Sequence, residues 1–298
     1  MSKELDQILA GMPVDFADPA QDFSRTRAQM APLHGHPVAA DTAVQSVELG
    51  GVHCAWLSRP SNDPSRGAVV FLHGGAFVSC TLADYLFYAE FIADAAGLPV
   101  LIVDYRLAPE HQFPAPLDDC VNAYLGLLDD GHDPRRLILM GDSCGGGMAL
   151  ATVARAHGSG RRTPAGLVSL SGWLDLDTAG YAPGYSGRRD PFVTEGFLRA
   201  RARDYLGPAG DLHHPWASPA RGELGGLPPL LLQVGEVDVC RLDAERLGER
   251  AGPAGVDVSI DVIIGGVHGV QGLVGMGVPE AVVAWAAVRR FIDRLLGE

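Results

Sequence analysis

The sequence lacks the features of a protein held together by disulfides or by a structural metal. Its five cysteines are odd in number, lie far apart along the chain and include no C-x-x-C pair. This usage argues against a zinc site and against the disulfide frameworks of small secreted domains. The first ten residues carry acidic side chains where a secretory signal would be basic, and they have no apolar core. We therefore expect a cytoplasmic protein that binds no metal.

Positive charge and long apolar runs are also scarce. Lysine and arginine together number 23 against 36 aspartates and glutamates, which gives a formal net charge of −13. Nucleic acids and anionic membranes are bound through cationic surfaces, so this balance argues against both as partners. No apolar run approaches the roughly 20 residues that cross a bilayer, so we expect no membrane insertion.

Short apolar segments alternate with helix-like segments over most of the chain. The apolar segments have the form of buried strands and lie at 67–72, 100–103, 137–140, 165–170, 230–235 and 256–264. Their alternation with helices predicts an α/β fold with a mostly parallel sheet covered on both faces. Residues 44–57 contain two strand-like runs joined by Gly50-Gly51, which predicts an antiparallel hairpin at one edge.

Two segments interrupt this alternation. Residues 1–40 are divided by prolines into short, loosely amphipathic pieces that cannot form a substantial core. Residues 175–225 are rich in proline and aromatic residues and are too long for a plain connection between strands. We expect both to form a small helical cap on a catalytic domain that spans residues 41–298. Arg188-Arg189 could contact an anionic substrate, although arginines in a loop are usually only solvated.

One stretch has the form of a strand, a sharp turn and a helix. The apolar residues 137–140 are followed by Gly141-Asp-Ser-Cys-Gly145, and a helix-like stripe begins at Met148. The pattern G-x-S-x-G in this context predicts a nucleophilic serine, Ser143, exposed on the turn. The alternative interpretation is a glycine-rich turn that binds a phosphate, as in dinucleotide-binding folds.

A nucleophilic serine needs a base and an acid that orients the base. In open-sheet hydrolases they follow the serine in the order acid, then histidine. Three of the ten histidines follow Ser143, and two of these fall inside the predicted cap. The third, His268, comes after the last predicted strand, and Asp238 comes after the strand before it. We predict His268 as the base and Asp238 as the acid, with Asp175 and Asp177 as competing acid positions.

A further motif, His73-Gly-Gly-Ala76, follows directly after the strand that ends at Leu72. Glycines in such a turn allow backbone N–H groups to approach a carbonyl oxygen closely. Together with the N–H of Cys144, beside the predicted nucleophile, this turn predicts an oxyanion hole.

Together these motifs resemble the hormone-sensitive-lipase-like esterases of the α/β-hydrolase superfamily. The resemblance rests on His73-Gly-Gly-Ala-Phe77, Asp104-Tyr-Arg-Leu-Ala-Pro-Glu110 and Gly141-Asp-Ser-Cys-Gly-Gly146, and it extends to the regions of Asp238 and His268. The Asp104–Glu110 stretch is highly specific to this family. The resemblance covers roughly residues 66–298, and the N-terminal arm matches only in general character.

The resemblance implies the α/β-hydrolase fold, no metal and no organic cofactor. By this resemblance, Ser143 would be the nucleophile, His268 the base and Asp238 the acid. The N–H groups of Gly74, Gly75 and Cys144 would form the oxyanion hole. The implied activity is hydrolysis of a small-molecule ester with a short or medium acyl chain, including acetyl esters of secondary metabolites. The alternatives are an acyltransferase or lyase on the same scaffold, or a ligand-binding homologue without catalysis. A homodimer could form through the terminal helix and an edge strand.

Three residues depart from the family's pattern. Ala76 replaces the commoner fourth glycine of the first motif, and Gly147 stands where the family often has asparagine. Cys144 replaces the usual alanine after the nucleophile, which could narrow the site or make it sensitive to thiol reagents.

Overall fold

The computed structural model describes residues 1–12, 22–31, 35–181 and 190–297. Eight strands form one sheet in the order β1-β2-β4-β3-β5-β6-β7-β8. The strands are β1 (Ala43–Leu49), β2 (Val52–Ser58), β3 (Ala68–Leu72), β4 (Val100–Val103), β5 (Leu137–Asp142), β6 (Gly166–Leu170), β7 (Leu230–Gly235) and β8 (Val258–Ile263). The β1–β2 and β2–β4 pairs are antiparallel, and the remaining pairs are parallel. The predicted fold class is confirmed, and the hairpin at 44–57 forms one edge of the sheet.

Helices connect the parallel strands. The described helices are α1 (Lys3–Gly11), α2 (Phe23–Met30), α3 (Leu82–Ala96), α4 (Ala115–Asp129), α5 (Cys144–Gly158), α6 (Glu195–Leu206), α7 (Arg241–Ala251) and α8 (Pro279–Leu296). Helix α3 begins at Leu82, three residues before Tyr85. It begins there because the Thr81 side chain accepts a hydrogen bond from the Asp84 N–H and caps the helix. None of the helices in the described ranges is long and apolar enough to cross a membrane.

Both faces of the central strands are buried, which explains why β3 and β4 are continuously apolar. In β3, Val69 and Phe71 pack in the cluster that contains α3 and α8, whereas Val70 and Leu72 pack in the cluster that contains α4 and α5. Successive side chains of a strand point to opposite faces, so a strand between two helical layers needs apolar residues at every position.

The terminal helix α8 buries only some of its apolar residues. Trp285, Val288 and Ile292 face the core, whereas Val282 is 62% exposed and Val283 is 60% exposed. Ala281 and Ala284 are buried in their place, since small residues let the helix approach β8 and the loop beyond it closely.

The helices α1, α2 and α6 lie over the carboxyl ends of the strands. On α1, Leu5 is fully buried against Val237, Val267 and Val278. On α2, Arg27 donates hydrogen bonds to the carbonyl oxygens of Val78 and Ala108 and to the Glu110 carboxylate. Residues 13–21 and 32–34 of the predicted arm and Arg188-Arg189 lie outside the described residues.

Candidate active site

Ser143 lies on the turn between β5 and α5. Its φ is +51°, a value that residues other than glycine rarely adopt, and its N–H donates to the Leu170 carbonyl oxygen at 2.9 Å. The turn passes so close to neighbouring backbone that two glycines are required. A Cβ on Gly145 would overlap the carbonyl oxygen of Leu72, and a Cβ on Gly141 would overlap that of Gly145. The motif therefore holds the serine side chain at the carboxyl end of the sheet for steric reasons.

The predicted base and acid lie beside this serine. His268 Nε2 is 2.9 Å from Ser143 Oγ, and His268 Nδ1 is 2.9 Å from Asp238 Oδ1. Asp238 follows β7 and His268 follows β8, so the two parallel strands carry both residues to the same edge. The two side chains are buried, whereas Ser143 faces a cavity. The structure thus joins three residues, separated in sequence by up to 125 positions, in one hydrogen-bonded chain.

The competing acids lie elsewhere and have other partners. Asp175 pairs with Arg221 at 2.9 Å. Asp177 pairs with His213 and with Arg221, each at 3.0 Å. Neither carboxylate contacts His268, so both serve to join the segments at 175–177 and 213–221.

The charges around His268 favour its protonated form. Burial alone would lower the pKa of His268, but the carboxylates of Asp238, Asp190 and Asp142 raise it above the usual 6.5. Burial is the largest single effect and raises the pKa of Asp238, but the charge and hydrogen bond of His268, together with hydrogen bonds from Ser171 and the Cys240 N–H, lower the net pKa. Asp238 is therefore ionised, and it stabilises a positive charge on the imidazole.

The glycine turn after β3 faces the same point. Gly75 and Ala76 line the cavity together with Ser143. Gly75 has a φ of +111°, and a Cβ there would overlap the carbonyl oxygen of Ser79, so the turn requires glycine. The Gly74 backbone lowers the pKa of the Asp142 carboxyl, and a Cβ on Gly74 would overlap Asp142 Oδ2, so the turn also packs closely against Asp142. The N–H groups of Gly74, Gly75 and Cys144 stay the predicted oxyanion donors.

The side chain of Cys144 supports this turn. Its Sγ accepts a hydrogen bond from the Phe77 N–H at 3.2 Å, and the residue is fully buried. Phe77 has a φ of +67°, so the sulfur holds a strained backbone in place. Burial raises the pKa of the Cys144 thiol to about 12. The thiolate that reacts with thiol reagents is therefore scarce at neutral pH, which argues against the sensitivity expected from the sequence.

Asp142 is a site residue that sequence reasoning missed. It precedes the nucleophile, lines the cavity and accepts a hydrogen bond from the Tyr85 hydroxyl at 2.9 Å. Burial raises its pKa to about 6. Its position inside the G-x-S-x-G motif was visible in the sequence, but its partner Tyr85 lies 57 residues away.

A cavity of about 650 Å³ opens from Ser143 and His268. Its walls are mainly apolar and come from α1, α2, α3, α6 and the loop after β8. The apolar and aromatic lining includes Ile8, Leu9, Met30, Phe87, Tyr88, Phe91, Phe192, Phe197, Leu198 and Leu273. No lysine or arginine is among the described residues that line it.

One group of side chains in the described ranges has the spacing of a metal site, and it overlaps the predicted acid and base. It consists of Asp238, Cys240 and His268. Burial raises the pKa of the Cys240 thiol well above its usual range. The facing atoms of the other two residues, His268 Nδ1 and Asp238 Oδ1, are hydrogen-bonded to each other. A metal needs a deprotonated thiol and a free ring nitrogen, so these residues do not fit one.

Known proteins similar to this chain were found at the level of family, sequence and structure. The alpha/beta hydrolase fold family matches residues 69–272. An acetyl-hydrolase of Streptomyces hygroscopicus is 38% identical over 215 residues, which are 72% of this chain and 71% of that protein. An esterase of Acinetobacter venetianus is 32% identical over 85% of this chain and 82% of its own length.

Solved structures agree over the whole chain. An esterase from the bacterial hormone-sensitive lipase family superimposes with a TM-score of 0.91 and 34% identity, covering 100% of this chain and 99% of that one. A crystal structure of EstE5 soaked with ethyl alcohol gives a TM-score of 0.92 at 32% identity, with full coverage of both chains. The chain therefore belongs to the α/β-hydrolase superfamily and, within it, to the hormone-sensitive-lipase-like esterases.

Proposed function

We propose that this protein is a serine carboxylesterase that acts through Ser143, His268 and Asp238. The observation that carries the proposal is the unbroken hydrogen-bonded chain from Ser143 Oγ through both nitrogens of His268 to Asp238 Oδ1, each link 2.9 Å long. The Ser143 end of these hydrogen bonds opens into an apolar cavity, and the esterase relatives support the same chemistry.

The proposed reaction has two halves. Ser143 Oγ attacks the ester carbonyl while His268 Nε2 takes the hydroxyl proton, and the carbonyl electron pair moves onto the oxygen. The N–H groups of Gly74, Gly75 and Cys144 stabilise that oxyanion. His268 then protonates the leaving alcohol, and an acyl-enzyme remains. In the second half His268 activates a water molecule that attacks the acyl-enzyme. The carboxylic acid leaves, and the free Ser143 hydroxyl is restored.

The proposed substrate is a neutral ester with a short or medium acyl chain. A largely apolar cavity of about 650 Å³ has room for a bulky alcohol as well as for a small acyl group. The relative named acetyl-hydrolase supports an acetyl ester, including one of a secondary metabolite. Among the described residues the lining contributes aspartates but no lysine or arginine, which disfavours a substrate with a carboxylate near the reacting bond.

The cap is proposed to consist of residues 1–40 and the insertion at 175–225. Helices α1, α2 and α6 supply one wall of the cavity through Ile8, Met30 and Phe197. In this arrangement the cap selects substrates and excludes water, and the domain at 41–298 performs the chemistry.

Acyl transfer, elimination and binding without turnover are the competing functions. The hydrogen-bonded Ser143–His268–Asp238 chain disfavours pure binding, because a receptor does not need an activated nucleophile. Hydrolysis with water as the only acceptor would distinguish an esterase from an acyltransferase.

Two further properties are proposed. All five cysteines are free and buried, which is consistent with a reducing, cytoplasmic setting. A homodimer would cover the edge strand β8 and the apolar side chains beside it, Ile264, Val282 and Val283, which are 74%, 62% and 60% exposed. Light scattering of the protein as it elutes from a gel-filtration column would give its oligomeric state. A monomer at high concentration would contradict the proposed dimer.

The test is hydrolysis of p-nitrophenyl esters over a series of acyl chain lengths. We expect activity that falls as the chain lengthens and that Ser143→Ala removes. Ser159→Ala is the matched control, because Ser159 lies at the far end of α5 and bonds only the Arg155 carbonyl among the contacts described for its hydroxyl. A folded wild-type protein that hydrolyses no ester would overturn the proposal.

A further inference from the structure

Asp190 is a buried carboxylate at the point where the cap insertion meets the catalytic loops. Its Oδ1 accepts hydrogen bonds from the N–H groups of Phe192 at 2.8 Å and Val193 at 3.2 Å. Its Oδ2 accepts from the N–H groups of His268 at 2.9 Å and Val239 at 3.2 Å. The residue is 7% exposed. An ionised carboxylate only accepts hydrogen bonds, and four backbone donors match that form.

A single oxygen of Asp190 joins the two loops that carry the acid and the base. Val239 directly follows Asp238, and the other donor is the backbone of His268 itself. The side chains of the same two catalytic residues meet between His268 Nδ1 and Asp238 Oδ1 at 2.9 Å. The position of the imidazole is thus fixed twice, through its ring by Asp238 and through its backbone by Asp190.

We propose that Asp190 is a positioning residue for the proposed esterase reaction, holding His268 in register with Asp238 and supplying negative charge beside the imidazolium that forms. The proposal rests on the function proposed for Ser143, His268 and Asp238. It also gives the cap a direct connection to catalysis, because Phe192 and Val193, which Asp190 orders, line the substrate cavity.

The charges near His268 define what Asp190 contributes. The titratable groups that face the imidazole are Asp238, Asp190, Asp142 and the Cys240 thiol. Burial keeps the thiol neutral by raising its pKa, so the three carboxylates supply the charge. Burial raises the pKa of Asp190 to about 6, Asp238 raises it as well, and His268 opposes both. Removing the charge of Asp190 lowers the pKa of His268, and the neutral, active base then persists to lower pH.

Asp190→Asn removes this charge while it keeps the size of the side chain. Asp243→Asn is the matched control, since Asp243 is equally buried and accepts two backbone N–H bonds, from Leu174 and Asp175, each at 3.0 Å. We expect Asp190→Asn to lower kcat by about 10- to 100-fold, as misplacement of a catalytic group does, with a smaller change in KM. We also expect the acid limb of the kcat/KM profile to move to lower pH.

The control separates positioning from stability. Asp243→Asn should leave the acid limb in place even if it lowers the melting temperature. An acid limb and kcat equal to the wild-type values in folded Asp190→Asn, or the same shift in both variants, would overturn the proposal. Covalent labelling of wild-type Ser143 by a fluorophosphonate tests the proposed function separately, because it reports the nucleophile without reference to Asp190.

If Asp190→Asn does not fold, hydrogen exchange in the wild-type protein tests whether Asp190 holds the two loops. The amides of Val239 and His268 are expected to exchange far more slowly than unbonded loop amides, because a buried carboxylate holds both. Fast exchange at the two amides would contradict the proposed contact, whether or not the enzyme hydrolyses esters.

Discussion

Arg201 on α6 donates a 2.8 Å hydrogen bond to the Thr26 hydroxyl on α2, and both residues are almost completely buried. Arg201 also pairs with Asp204 at 2.7 Å. Because Arg27 of α2 bonds the carbonyl oxygens of Val78 and Ala108, the two helices and the turn after β3 form one connected wall of the cavity.

Arg201→Met is expected to loosen this wall. Methionine keeps the apolar length of the side chain but loses the bonds to Thr26 and Asp204, which should cost about 2 kcal/mol of folding free energy. KM should rise more than kcat falls, because α2 and α6 contact the substrate cavity rather than the reacting atoms. Denaturant unfolding and steady-state kinetics measure both effects. Arg199→Met is the control: Arg199 is exposed on the same helix and pairs with Glu195 one turn away, so its loss should cost less than about 1 kcal/mol.

Asp238→Asn is expected to remove most of the activity and leave the fold intact. Asparagine fits the same space, but it does not stabilise a positive imidazole and favours the wrong ring tautomer. We expect kcat to fall by roughly 10²- to 10⁴-fold with little change in KM. Asp175→Asn provides the comparison, since Asp175 pairs with Arg221 and does not contact His268. Equal losses in the two variants would contradict the assignment of Asp238 as the acid.

The rate of hydrolysis should fall at acid pH along a limb that lies above pH 6.5. The pKa of His268 is raised by its carboxylate neighbours, and only the neutral imidazole accepts the proton of Ser143. As the pH falls through this raised pKa, the base becomes protonated and kcat/KM declines. The pH profile of kcat/KM for a substrate that does not titrate measures this directly. A limb well below pH 6.5 would show that burial outweighs the three carboxylates.

Cys144→Ala, which restores the family's usual residue, is expected to destabilise the oxyanion turn. Alanine leaves the buried Phe77 N–H without the sulfur acceptor, at a cost of about 1 to 3 kcal/mol. Cys144→Ser keeps an acceptor and should recover part of the loss. Thermal unfolding and kcat of the two variants test this order, and an alanine variant as stable and active as the wild type would contradict it.

The native enzyme should also resist thiol reagents. The Cys144 thiol is fully buried and burial raises its pKa to about 12, so alkylation by iodoacetamide should be slow until the protein unfolds. Rapid loss of activity in native buffer, with modification of Cys144 found by mass spectrometry, would contradict the buried position.

Local patterns were sufficient to predict the sheet and the elbow. The strands β3 to β7 lie between two helical layers, so each is predominantly apolar, and Ser143 lies between glycines that the turn requires for steric reasons. The order of Ser143, Asp238 and His268 was predictable from the chain order of open-sheet hydrolases, and their meeting at one edge from parallel strands that deliver their following loops there.

Contacts between distant segments could not be predicted in the same way. The Cys144 side chain was visible in the sequence, but its bond to the Phe77 N–H spans 67 residues and depends on how the turn after β3 folds back. The outward position of Val282 follows from small residues, Ala281 and Ala284, that fit against neighbouring segments. Asp190 carries no motif, because its role arises only where three loops meet.

The hydrogen bonds of Asp190 bear on how separable the parts of this enzyme are in evolution and in engineering. A carboxylate in the segment that precedes α6 accepts a hydrogen bond from the backbone N–H of His268, so the proposed cap insertion contacts the loop that carries the proposed base. A chimera that replaces this insertion with one from a relative therefore exchanges a support of the base along with the substrate wall. Such a chimera would combine the new specificity with full turnover only in two cases. Either the exchanged segment begins after Val193, so that Asp190 is kept, or the segment from the relative carries an equivalent carboxylate.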